Sequence, residues 1–463
     1  MNLIIVTIDS LRKDYMGCHG NTWIRTPNMD RFFEQSIVFD RLRPNAIPTI
    51  PFRRGLMLGR RIFPYKDAAK FGWAPLGWQP LKEEETTLQE VLQQAGYVTA
   101  MVTDVWHYFR PGMNFHKGFH SWQFLRGHEA DPYLTDPSIR DPEEWMDPAL
   151  RGKRMQNFFE QYVRNADPIR YEEDYFSPRV FRTAEKWLQK NARHYKNFFL
   201  LVDCFDPHEP WDPPREYVAL YDPAYRGKEY VFPQNGPCDH MSPEEVKHVQ
   251  ALYAGKVSMV DRWFGHFMGK FFLMGLDQDT VVLFLSDHGL QLGDRGLMKK
   301  LSKALYTELL EVPMMLRLPG RSSHSRVKGF VQEEDIAPTL LKLLGLEPPP
   351  SMTGQDLRPL ASGQKEAIRD HVIGGSHTWA YVQDQRYHYF RNLVDDPTPC
   401  LFDVQEDVPM LNDLSEKLPE ACEVMERKLM AGLEGWSPPR ELLGTRIYDL
   451  PYVPFRLRDE PGS

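Results

Sequence analysis

Apolar runs of strand length alternate along this chain with segments of helical period. Residues 2–8, 97–103, 197–205, 280–286 and 313–319 are near-continuous apolar stretches, the pattern of strands buried on both faces. Residues 87–96, 177–192, 242–275 and 335–345 repeat their apolar positions every three to four residues and predict helices. The alternation predicts an α/β fold: a doubly wound, mainly parallel sheet covered on both faces. Three of the strand-like runs lead into groups with chemistry, namely Asp9, Asp206-Pro207-His208 and Asp287-His288. Open α/β sheets bind ligands beyond the carboxyl ends of their strands, so these groups are expected to converge.

Two stretches differ in texture. Residues 105–175 are rich in Trp, Tyr, His, Pro and Asp with little period, and predict loops and short helices around the mouth of the crevice. After Pro348-Pro349-Pro350, residues 379–390 and 400–405 read as antiparallel strands and 420–435 as an amphipathic helix, a smaller C-terminal α+β domain. The expected division is a catalytic α/β domain at 1–365, the antiparallel sheet plus helix at 366–436, and an extended tail at 437–463. The proline-rich tail has no element of its own and is expected to pack, on a neighbouring subunit of a homo-oligomer.

Composition narrows the partners. With 463 residues, 42% hydrophobic, the chain can bury a large core. Its net charge of −8 gives no general attraction to nucleic acid or an anionic membrane, so an anionic substrate must be caught by a local cluster of cations. No apolar stretch approaches the roughly 20 residues of a membrane span, and no basic segment precedes the first strand, so neither an anchor nor a leader is expected. Cys18, Cys204, Cys238, Cys400 and Cys422 are odd in number and never form a CxxC pair, which points away from disulfides or structural zinc and towards a reducing cytoplasm.

Thr49-Ile50-Pro51-Phe52-Arg53 reads as a loop entering a helix, with Thr49 at or near its N-cap and Pro51 in the first turn. Free backbone donors and the helix dipole would stabilise an alkoxide there. Arg53, four residues on, shares the face of Thr49 and could reach its hydroxyl or a bound anion. Taken alone, Thr49 reads as a plain helix cap, and Asp9, Asp287 and His288 are equally turn formers.

The order of these signals decides between the readings. Asp9-Ser10-Leu11-Arg12, then Thr49-Ile50-Pro51-Phe52-Arg53 with Gly59-Arg60, then Asp206-Pro207-His208-Glu209-Pro210, then Ser286-Asp287-His288-Gly289 with Lys300, and finally Asp335-Ile336-Ala337-Pro338-Thr339 and Leu401-Phe402-Asp403 resemble, in sequence, the motifs of the sulfatase branch of the alkaline phosphatase superfamily. The resemblance runs to about residue 433. It implies an alkaline-phosphatase-like fold and a hydrolase of phosphate- or sulfate-like esters. It also implies a divalent metal held by Asp9, Thr49, Asp287 and His288, with Thr49 as nucleophile and Arg53, His208 and Lys300 as its catalytic partners.

The departures from the family pattern carry more information. Sulfatases convert a Cys or Ser at the nucleophile position to formylglycine, whereas Thr49 is expected to stay a threonine. Its ester cannot collapse by breaking its own C–O bond and must be released by water, which tilts the chemistry towards phosphorus. Ser10 replaces a second Asp and His288 replaces an Asn of calcium-binding members, a softer and less anionic set that favours Mn²⁺ or Zn²⁺ over Ca²⁺. Thr103-Asp104-Val105-Trp106-His107 stands where sulfatases carry a substrate-binding lysine; Asp104 is expected to repel a dianion, while His107 is open to a substrate-binding or a structural role. The expected substrate is a small, singly charged ester, a phosphodiester or phosphonate monoester, with His208 protonating the leaving oxygen. A sulfatase working without formylglycine and a catalytically silent ligand-binding relative are the alternatives.

Overall fold

The computed structural model describes residues 1–68, 75–395, 397–440 and 443. Eight strands form the central sheet: β1 (Asn2–Ile8), β2 (Ile37–Leu42), β3 (Val98–Thr103), β4 (Ser121–Phe124), β5 (Phe198–Cys204), β6 (Thr280–Ser286), β7 (Met314–Arg317) and β8 (Ser325–Val331). Their order is β8-β2-β7-β6-β1-β5-β3-β4, and all pairings are parallel except those of β7. The expected doubly wound, mainly parallel sheet is therefore present.

Side chains alternate across the sheet with the period of two that a pleated strand imposes. From β1, Ile4, Val6 and Ile8 enter one core with α2 (Phe176–Asn191) and α3 (Pro243–Leu273). Leu3 and Ile5 enter the other, with α1 (Thr49–Leu58) and α4 (Ile336–Leu343). Burial on both faces explains why these strands read as continuous apolar runs. Helix α3 opens on a capping box, Ser242 with Glu245, and Pro243 in its first turn.

Register fixes the site. Ile8 of β1 lies level with Cys204 of β5 on one side and with Ser286 of β6 on the other. The residues that follow, Asp9, Phe205 and Asp287, therefore leave the sheet at the same height, in the crevice where three strand-end groups were expected to meet.

A second sheet is antiparallel: β9 (Val372–Ser376), β10 (Trp379–Gln383), β11 (Tyr387–Asn392) and β12 (Cys400–Asp403), with α5 (Pro419–Leu433) against one face. The stretch 379–390, read as one strand, is two, joined by a turn in which Asp384 accepts the amides of Arg386 and Tyr387. This sheet reaches back to the loop that precedes Thr49. Gly375 donates its amide to Asn45 and accepts from Ile47, and a Cβ on Gly374 would lie 2.5 Å from the Pro44 carbonyl, so only glycine allows that approach. Residues 105–175 hold the expected short turns but also strand β4 and a 13-residue helix, Arg154–Ala166. Apart from 437–440 and 443, the tail and the subunit contact assigned to it lie outside the described residues.

Candidate active site and metal centre

Helix α1 begins at Thr49, with Pro48 in the cap position and no side-chain cap hydrogen bond. Thr49 stands next to the cap, as expected, as the first helical residue, and its hydroxyl has another partner. That partner is His288, whose Nε2 lies 3.4 Å from Thr49 Oγ1. The loop before Thr49 is held by Glu333, whose carboxylate accepts the amides of Asn45 and Ala46 at 2.6 and 2.9 Å.

Asp9, Asp287 and His288 are fully buried, and each offers a ligand atom within 4.8 Å of the others. Ser10 knits the two carboxylates together, its amide donating to Asp287 at 3.0 Å and its hydroxyl to Asp9 at 2.7 Å. The backbone of Ser10 is left-handed, φ 59°, which turns both donors towards the cluster. His288 Nδ1 lies 2.8 Å from the Gly289 carbonyl and so carries the proton, leaving the Nε2 lone pair to face Thr49 and the two acids.

Arg53 is also fully buried, in a grip of three carboxylates. It donates to Asp203 through Nε at 2.9 Å and Nη2 at 2.8 Å, to Asp287 through Nη1, and lies 3.1 Å from Asp9. Tyr108 donates its hydroxyl to Asp203 as well. Arg53 was expected to present its fork to the nucleophile or a bound anion; the fork is instead engaged by these three carboxylates. Three buried carboxylates against one guanidinium leave two negative charges uncompensated. Burial, and then the charge of Asp287, push the Asp9 carboxyl well above the carboxylate range. Burial would raise Asp287 too, yet His288 and Arg53 hold it low.

A divalent cation fits this donor set. It would match the missing charge, find the neutral Nε2 lone pair of His288, and meet Asp9 Oδ2, a buried oxygen whose one close partner is Arg53 at 3.1 Å, without hydrogen-bond geometry among the described residues.

The opposite wall carries His208 and Lys300. Lys300 Nζ lies 2.8 Å from His208 Nε2 and 2.6 Å from Glu209 Oε2, and His208 Nδ1 lies 2.6 Å from the Glu209 carbonyl. An ammonium only donates, so Nε2 accepts and Nδ1 bears the proton. Burial, with Lys300 adding to it, pushes His208 down to about 3. The imidazole expected to protonate the leaving oxygen is thus neutral, and its Nε2 accepts a hydrogen bond from Lys300. Lys299, 3% exposed, stands 3.8 Å from Glu209.

Asp104 requires a correction. Its carboxylate accepts the Phe205 amide at 2.8 Å and meets His128 Nδ1 at 3.3 Å, deep in a network that continues through Asp206 to Lys256. A carboxylate turned into that network does not line the substrate's path. His107 sits nearer the crevice, with Nε2 3.2 Å from Glu129. Asp203, Tyr108, Glu209 and Glu129 escaped the sequence reading. Asp203 did leave a trace, a carboxylate inside the apolar run 197–205 that demanded a buried cation.

An open sheet whose strand ends gather a buried acid–histidine cluster beside a helix-start hydroxyl is the architecture of an ester hydrolase. The chain belongs to the sulfatase family of the alkaline phosphatase superfamily: the family pattern described as Sulfatase matches residues 1–346, and one described as N-sulphoglucosamine sulphohydrolase, C-terminal, matches 293–433. An arylsulfatase of Clostridium perfringens is 24% identical over 94% of each chain. The multifunctional alkaline phosphatase superfamily protein PehA of Trinickia caryophylli is 23% identical, covering 78% of this chain and 77% of its own. Among solved structures, the phosphonate monoester hydrolase of Agrobacterium radiobacter superposes with a TM-score of 0.72 at 18% identity, covering 94% of this chain and 95% of the other. Members of this family typically bind a divalent metal.

Proposed function

We propose that this protein is a metal-dependent hydrolase of small phosphodiesters or phosphonate monoesters, with sulfate esters as secondary substrates, acting through Thr49 and a covalent threonine ester. The observation that carries this reading is the placement of Thr49, a threonine at a helix start with its hydroxyl 3.4 Å from His288 Nε2. A threonine is not converted to formylglycine, and its ester leaves only by attack of water.

Asp9, Asp287, His288 and Thr49 would hold the cation, with Mn²⁺ or Zn²⁺ favoured over Ca²⁺ by the imidazole and by Ser10 in place of a carboxylate. Bound there, the cation would supply Lewis acidity that lowers the pKa of the Thr49 hydroxyl. Thr49 attacks in line, assisted by the amides of the first turn of α1. Lys300 and His208 deliver the proton to the departing alcohol. Glu209 and Glu129 match the charges of Lys299 and Lys300, so this wall has no surplus of cations for a dianion, which supports a singly charged substrate.

The name of the Agrobacterium phosphonate monoester hydrolase agrees with a phosphorus substrate. The arylsulfatase match across nearly the whole chain favours a second reading, a sulfatase that works without formylglycine. Assay of an aryl phosphodiester, an aryl phosphonate monoester and an aryl sulfate side by side separates the two. The phosphorus esters are expected to turn over faster, and a clear sulfate preference would reverse the order. Five cysteines, each free, suit a reducing compartment such as the cytoplasm.

A further inference from the structure

We propose that the outer faces of α2 and α3 form a docking surface for an anionic lipid bilayer, cations meeting the headgroups and an apolar tip entering the interface. The surface lies outside the crevice and is independent of the reading of Thr49. Helix α2 buries Val180, Phe181, Ala184, Trp187 and Leu188 against the sheet. Its opposite side carries Arg179, Arg182, Lys186 and Lys190, which at 3.6 residues per turn fall within an arc of about 80°. Arg193 and Lys196 follow in the exposed turn that leads to β5.

The stripe differs from an ordinary solvent-facing side, which mixes both signs and sets acids three or four residues from bases. Here Arg182, Lys186 and Lys190 succeed one another at spacings of four, so like charges stand where they repel. The helix dipole favours Lys190 in the last turn but gives nothing to Arg182 and Lys186 in the middle. Among the described residues, Arg182, Lys186, Lys190, Arg193 and Lys196 have no ion pair and no side-chain hydrogen bond. These cations are therefore free to meet an outside anion.

Helix α3 widens the stripe into a face. It lies beside α2 and runs in step with it: Phe181 meets Phe264 and Phe267, and one turn on Glu185 meets His266 at 3.1 Å and Lys270 at 3.9 Å. Residues 182–196 and 262–273 together hold seven lysines or arginines and a single acid, Glu185, in a chain where acids outnumber bases. Leu273, seven residues after His266 and three after Lys270, continues the same side of α3 and comes level with the last turn of α2. It is 82% exposed, and Phe272 beside it and Tyr195 in the turn after α2 are exposed as well.

Shape and charge together select the occupant. Two parallel helices make a broad convex face, which meets a plane, whereas a thread-like polyanion is held in a groove lined by stacking aromatics. Cations beside an exposed leucine and tyrosine match a bilayer surface, anionic headgroups outside and an apolar boundary beneath. The net charge of −8 does not oppose this, because a charge is felt over one Debye length, roughly 10 Å at 0.1 M salt, and the local excess decides. Helix α2 starts level with the crevice, where the Ser177 amide donates to Asp206, and runs down to the start of β5. Tyr195 and Leu273 thus mark the far edge of the sheet, and a docked molecule keeps its crevice open.

The test is sedimentation of the full chain with vesicles of phosphatidylglycerol and phosphatidylcholine, beside vesicles of phosphatidylcholine alone, at low and at high salt. The protein is expected to bind the anionic vesicles only, and to be released by salt. The triple variant Arg182→Gln, Lys186→Gln, Lys190→Gln should bind about 10²-fold more weakly, since each charge near an anionic surface is worth about fivefold. Leu273→Ser should weaken binding by less and leave its salt dependence unchanged. Lys247→Gln, Lys365→Gln and Lys417→Gln together remove the same charge from exposed positions elsewhere and should bind as the wild type does. Thermal unfolding checks that each variant keeps its fold. Failure of the wild type to bind anionic vesicles at low salt, or equal loss in the two triple variants, overturns the proposal. Tighter binding of duplex DNA than of anionic vesicles at the same salt overturns it too, and would assign the face to a thread-like polyanion.

Discussion

Thr49 Oγ1 and His288 Nε2 lie 3.4 Å apart although 239 residues separate them in the chain. The contact joins a helix start to a strand end, and it removes Thr49 from the ordinary business of capping. Thr49→Ala is expected to abolish turnover while leaving the fold intact, because the lost hydroxyl has no cap to maintain. Steady-state assay beside thermal unfolding of the same preparation checks both halves. Thr49→Ser should retain measurable turnover, since it preserves the attacking oxygen.

Arg53 makes the opposite prediction, a structural one. Arg53→Met would strand Asp9, Asp203 and Asp287 together in the core, and breaking a buried ion network costs about 3–5 kcal/mol. Arg53→Lys keeps the charge but not the two-pronged contact with Asp203, so it should recover part of that loss. Urea unfolding midpoints of the three proteins give the ranking.

The cation site should be visible in stability as well as in activity. A cation that binds only the folded chain stabilises it by about 2.7 kcal/mol at one hundred times its dissociation constant. Adding Mn²⁺ or Zn²⁺ to chelator-treated protein is therefore expected to raise the unfolding temperature, and Asp287→Asn to erase most of the rise. Calcium should give the smaller shift. A larger shift with Ca²⁺ would reverse the assignment of the ion.

The parts legible in sequence were those whose physics is local or periodic. Runs such as 280–286 declare a doubly buried strand, and Asp287-His288 at its end declares polar groups in the crevice. Strand β2 went unread because Asp40 and Arg41 break its apolar pattern, and β8 because its solvent side carries Arg326 and Lys328. The surroundings of Arg53 and Asp104 were not legible for a different reason. Each is decided by a partner far along the chain, Asp203 for the first and His128 for the second, and spacing alone cannot pair them. Glu129 lies in the aperiodic stretch 105–175, where its backbone conformation has no sequence signature.

The buried network around Asp104 has its own signature in pH. Burial lowers His128, but Asp104 and Asp206 more than offset it and bring the histidine up to about 9, against an ordinary value near 6.5. A histidine raised on folding contributes stability that is complete below about pH 6.5 and is lost as pH climbs through about 9. The shift corresponds to roughly 3 kcal/mol. The stability difference between wild type and His128→Asn should shrink by about that amount between roughly pH 6 and pH 9.5, measured by urea unfolding.

The pairing of Lys300 with His208 makes the last prediction. Because His208 Nε2 accepts from the ammonium, removing Lys300 takes away the proton that the leaving oxygen needs and leaves Glu209 without its closest cation. The loss should depend on the leaving group. A nitrophenolate departs almost without help, whereas an alkyl alkoxide has a far higher pKa and must be protonated as it goes. Lys300→Ala is therefore expected to lower turnover of an alkyl ester by about 10²–10⁴-fold and that of a nitrophenyl ester much less. A plot of log kcat/KM against leaving-group pKa should steepen in the variant. An unchanged slope would mean that Lys300 holds the substrate's oxygens rather than supplying the proton.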